Sequence, residues 1–76
     1  MTEKRIDISL DRMPDQDSAA EIEATLLALE GVTAVVLSER DRRIEVAYDV
    51  TRLDVSDVVK ALEVITIIDY FEETDI

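Results

Sequence analysis

The residues best equipped for chemistry are carboxylates and a hydroxyl gathered in one short stretch: Asp11, Asp15 and Asp17, followed at once by Ser18. Hard cations such as calcium or magnesium take several carboxylate oxygens, so this stretch is the candidate metal locus. Its spacing matches no EF-hand, whose glycine and distal glutamate are both missing. Arg40, Arg42 and Arg43 form a compact basic run further along. Pairing with these arginines would neutralise the same carboxylates, at about 0–1 kcal/mol for each exposed pair. Met13 offers a thioether, but a lone methionine serves core packing more often than ligation. Tyr48-Asp49 and Tyr70 could imitate an acid and a base. No nucleophile or phosphate-cradling glycine loop accompanies them, and they read as structural.

Composition closes most other routes. Zero cysteines exclude disulfides and every thiolate metal site, and zero histidines remove the usual general base and the commonest nitrogen ligand. An enzyme is not expected. Nineteen acids against eight bases leave a net charge of −11, which repels phosphate backbones and anionic lipid alike. The partner expectation is therefore no nucleic acid and no membrane insertion. No apolar run approaches the roughly 18 residues of a spanning helix, and the N-terminal residues pass straight into an alternating segment without a signal-like apolar core. A cytoplasmic protein is the expectation. The 76 residues read as a single domain, 1–76, of a size that buries only about 60% of its extended-chain surface.

These residues need elements to position them. Ile6, Ile8 and Leu10 alternate with Asp7, Ser9 and Asp11, the period of a strand with one buried face. Ser18 and Glu21 have the spacing of a capping box, which starts a helix over Ala19 to Glu30 that Gly31 ends. Ile22, Leu26 and Leu29 give that helix its apolar face. Val32 to Ser38 is β-branched, Arg40-Asp41-Arg42 is a polar turn, and Ile44, Val46 and Tyr48 alternate on the return, so a hairpin is predicted. Asp54 caps a second helix with Asp57 at its third position, and Leu53 with Val58 forms a hydrophobic staple. Thr66 to Phe71 reads as a last strand with Ile68 and Tyr70 inward, since the opposite register buries Asp69.

The order βαββαβ leaves two helices to cover one face of four strands. The economical solution is an α+β ferredoxin-like sandwich: a four-stranded antiparallel sheet of order 4-1-3-2 with two helices on one face. That topology brings the loop after strand one, the hairpin turn and the loop before strand four to the same end. Arg40, Arg42 and Arg43 are then expected beside Asp11, Asp15 and Asp17. The open-face candidates Ser9, Arg43, Glu45 and Ala47 include no aromatic ring, so stacking of RNA bases is not expected.

In this order and spacing the chain resembles the heavy-metal-associated domain family of copper chaperones and mercury-binding proteins. The resemblance rests on Arg12-Met13-Pro14-Asp15-Gln16-Asp17-Ser18, Leu26-Leu27-Ala28-Leu29-Glu30-Gly31-Val32, Val35 to Leu37, Tyr48-Asp49, and Leu53-Asp54 leading into Val58-Val59-Lys60-Ala61-Leu62. It implies that Asp15 and Ser18 stand where that family carries its two metal-binding cysteines. Soft metals need thiolate donors, and a carboxylate with a hydroxyl offers only hard oxygen. The resemblance thus implies a non-enzymatic protein-interaction or regulatory module, related to metal transport or homeostasis, that lacks the soft-metal site. Two alternatives stand beside it: a hard divalent cation bound by Asp11, Asp15, Asp17 and Ser18, or a small-molecule-binding regulatory domain. No resident cofactor is expected. The second strand lies at a sheet edge, and Val35, Val36 and Leu37 are the expected interface for a protein partner or a homo-oligomer.

Overall fold

A computed structural model of the chain describes residues 2–12 and 14–75. The packing role expected for Met13 lies outside the described residues. The elements run β1 (Glu3–Leu10), α1 (Gln16–Leu27), β2 (Val32–Ser38), β3 (Arg43–Asp49), α2 (Val55–Glu63) and β4 (Ile68–Asp75). The four strands form one antiparallel sheet in the order β2-β3-β1-β4. This is the 4-1-3-2 order read from its other edge, and the fold is ferredoxin-like.

Alternation in the sequence sets which face is buried. Ile6 and Ile8 on β1 stand opposite Val46 and Ile44 on β3, and opposite residues share a face. These four, with Leu10 and Tyr48, meet Ile22 and Leu26 of α1 and Val58 and Leu62 of α2 in one core. Burying each such aliphatic side chain contributes about 1.5–3 kcal/mol, so this layer between sheet and helices is the main source of stability. The Tyr48 hydroxyl reaches Glu73 Oε1 at 3.4 Å, and Lys4 Nζ meets the same oxygen at 2.9 Å. Burial, with the Glu73 carboxylate nearby, pushes the Tyr48 hydroxyl above the usual tyrosine range.

Both helices start on an aspartate. Asp54 and Asp57 form the expected capping box of α2, the Asp54 amide donating to Asp57 Oδ2 at 3.0 Å. In α1 the predicted box of Ser18 and Glu21 is not used. Asp15 is the N-cap, and its Oδ1 accepts from the Ser18 amide at 2.8 Å. Aspartate caps as well as serine, and the earlier start adds Gln16, Asp17 and Ser18 ahead of Ala19, which lies with Ile22 and Leu26 on the buried face. The helix also ends earlier than expected, at Leu27. Tighter turns follow, with Leu29 N donating to Leu26 O and Val32 N to Leu29 O. Gly31, at φ +108°, makes the left-handed step into β2.

The last strand departs from its expected register. Ser9 pairs with Tyr70 and Leu10 with Ile68, which leaves Asp69 as an extra residue in β4. This bulge puts Ile68 and Tyr70 on opposite faces. Ile68 packs against the core as expected, whereas Tyr70 points outward at 54% exposure. Phe71, opposite Ile8, takes the inward register but stays 44% exposed at the sheet edge.

Candidate functional site

The loop after β1, the β2–β3 turn and the loop before β4 meet at one end of the molecule, as the topology requires. Main-chain hydrogen bonds join them: Leu10 N donates to Arg42 O at 2.9 Å and Asp11 N to Ile67 O at 3.2 Å. Arg42, in the left-handed region at φ 54°, also extends Nη1 to the Asp11 carbonyl oxygen at 3.4 Å. Between the loop after β1, with the start of α1, and the loop before β4 lies a shallow cleft of about 560 Å³ walled by Arg12, Pro14, Asp15, Ser18 and Ile65 to Ile67.

Within this end, each sequence-predicted residue has a definite setting. Asp15 is exposed, and its carboxylate is engaged by the Ser18 amide. That hydrogen bond, helped by the Ser18 hydroxyl, holds the Asp15 carboxyl below the usual carboxylate range. Ser18 is half-buried at the third helical position of α1. Asp17 lies exposed in the first turn, where the helix dipole favours a negative charge. Asp11 is exposed and joins the network through its main chain. Among the described residues, no three Asp or Glu side chains converge closely enough to hold a metal ion.

The expected pairing of Arg40, Arg42 and Arg43 with Asp11, Asp15 and Asp17 does not form among the described residues. Arg43 lies within a strand and alternates with buried Ile44, so its side chain leaves on the open face. There Arg43 Nη2 stands 3.8 Å from Asp7 Oδ2, and Arg5 Nε stands 3.4 Å from Asp7 Oδ1. Asp7 is only 9% exposed despite facing outward. It occupies an inner strand, with Glu45 opposite on β3 and Glu72 opposite on β4, and long side chains crowd over it. Neither Asp7 Oδ1 nor Arg5 Nε has a hydrogen-bond partner of good geometry. Sequence reasoning passed over Asp7, although the 4-1-3-2 order already placed it between two neighbouring strands.

The open face carries Ser9, Arg43, Glu45 and Ala47 as expected, but also Tyr70, which the Asp69 bulge delivers there. Of the interface candidates, Val35 and Leu37 pair with Val46 and Ile44 on the core side, and both pack partly against the core. Val36, opposite Glu45, is 56% exposed on the open side.

A heavy-metal-associated domain model matches residues 7–65. No curated protein matches the chain in sequence. Among solved structures, oxidised MerP from Ralstonia metallidurans CH34 is similar at 17% identity and a TM-score of 0.75, over 90% of this chain and 99% of that one. The Cu(I)-loaded N-terminal domain of a potential copper-translocating P-type ATPase from Bacillus subtilis is similar at 24% identity and a TM-score of 0.75, over 99% and 88%. The CopZ metallochaperone follows at 18% identity and a TM-score of 0.73, over 92% and 98%. These likenesses agree on the fold. A soft metal ion does not fit the residues present, because the chain has no cysteine or histidine and the Asp15 carboxylate already accepts a main-chain hydrogen bond. By the extent of its match and by its fold, the chain belongs to the heavy-metal-associated domain family.

Proposed function

We propose that the chain is an interaction or regulatory module of metal transport that carries no soft metal itself. The observation that supports this most is the position of Asp15. Its carboxylate serves as the N-cap of α1, a structural duty, in a chain without a thiol. What the fold retains is a pair of sheet edges and a loop-walled cleft. The uncharged β2 edge, with Val36 half exposed, is the surface on which a protein partner or a second copy is met.

Competition with a chromogenic copper(I) chelator tests the first half of this reading. The chelator keeps its copper in the presence of equimolar protein; transfer at submicromolar free copper overturns the reading. Val36→Lys tests the second half. The variant sediments as a smaller species or loses affinity for its partner, and an unchanged profile removes β2 as the interface.

A further inference from the structure

We infer that the outer edge of β4 receives an extended, lysine- or arginine-rich segment of another protein as a fifth strand of the sheet. This surface is separate from the β2 edge, and the inference stands whether or not β2 has a partner. β4 pairs with β1 alone. Among the described residues, positions 68–74 make no main-chain hydrogen bond outside that ladder. The far side of the strand thus presents a row of unpaired amides and carbonyls, which is a template for strand addition.

Charge decides what is added. β4 reads Ile-Asp-Tyr-Phe-Glu-Glu-Thr-Asp, with carboxylates at four of its eight positions and no base. Lys4 meets Glu73, while no described cation pairs with Asp69 or Glu72. A second copy is the wrong occupant, since it brings another strand with four carboxylates and no base, and in parallel, in-register pairing every acid faces an acid, which destabilises a ladder. A basic strand reverses that sign at every such position. The two faces of the strand also offer anchorage: Tyr70 and Phe71 are 54% and 44% exposed on opposite faces, and Ile67 just before the strand is 65% exposed. Aromatic rings at a strand edge pack against the aliphatic stems of lysine and arginine, whose charged ends then reach the carboxylates.

The test uses a peptide of alternating lysine and valine as long as β4. Its controls are a glutamate–valine peptide and a lysine–valine peptide of equal charge interrupted by proline, which cannot complete a ladder. Hydrogen exchange followed by NMR reads the site. The lysine–valine peptide slows exchange of β4 amides, weakens as salt is raised, and leaves β2 amides unaffected; the two controls leave exchange unchanged on both strands. The double variant Asp69→Lys/Glu72→Lys binds more weakly by on the order of tenfold, since two attractive cross-strand charge pairs become repulsive. The Val36→Lys variant binds unchanged. Protection appearing on β2, equal binding of the proline-interrupted peptide, or no binding at all overturns the inference. The last outcome assigns the β4 acids only to keeping this edge unpaired.

Discussion

Asp15 shows how one side chain settles two questions. Its carboxylate accepts from the Ser18 amide, which starts α1 and occupies the group a cation would need. Because this hydrogen bond favours the charged form, the folded-state pKa lies below the ordinary aspartate value. The sign follows: the contribution to stability is fully present above the unfolded pKa and is lost as pH falls through the folded one. Asp15→Asn keeps a good cap but removes that titration. In urea melts at neutral pH it is close to the parent, and below about pH 4 it loses less stability than the parent does. Asp15→Ala is destabilised already at neutral pH. An asparagine variant with the parent's acid sensitivity assigns that sensitivity to other carboxylates. The spacing to Glu21 points to Ser18 as the cap, and that reading leaves Asp15, three positions earlier, unweighed. Local preference does not separate the two, since aspartate and serine cap about equally well; the structure uses Asp15.

At the scale of elements, everything governed by period was legible. The alternation of β1 and β3, the apolar faces of both helices and the Asp54–Asp57 box came through because each depends on neighbours in sequence. Features that depend on neighbours in space did not. The Asp69 bulge is invisible in Ile67-Ile68-Asp69-Tyr70-Phe71, where apolar residues flank the acid on both sides and either register keeps one pair inward. Arg43 is a different case, since its alternation with Ile44 already aimed it at the open face and away from the acidic loop. Gly31 was read as a left-handed residue and is one, although it opens β2 instead of ending the helix directly. A methyl group there would stand 2.9 Å from Arg52 Cβ and 3.1 Å from Leu53 Cγ, on a backbone at φ +108°. Gly31→Ala is therefore destabilised by about 1–3 kcal/mol, read as a shift in the urea midpoint at constant slope. A loss of only a few tenths shows that the turn and the Arg52–Leu53 segment relax around the added methyl group.

Across the whole molecule, charge opposes compactness. A net −11 on 76 residues leaves carboxylates repelling one another over distances comparable with the Debye length, about 10 Å at 0.1 M salt and 30 Å at 0.01 M. The exposed pairs Lys4–Glu73 and Arg52–Glu30, each at 2.8–2.9 Å, are too few to reverse that balance. Raising sodium chloride from the lower to the higher concentration raises the melting temperature by several degrees, as a gain of about 1 kcal/mol moves a domain of this size by roughly 4–8 °C. A falling melting temperature shows instead that specific ion pairs dominate. The three loops at the cleft end are joined through main-chain atoms, Leu10 to Arg42 and Asp11 to Ile67, and every residue type except proline supplies the amide such a bond needs. Heredity can therefore treat the frame and its tips separately. Side chains at the tips are free to change at little cost in folding wherever, unlike the Asp15 cap, they hold no main-chain group themselves.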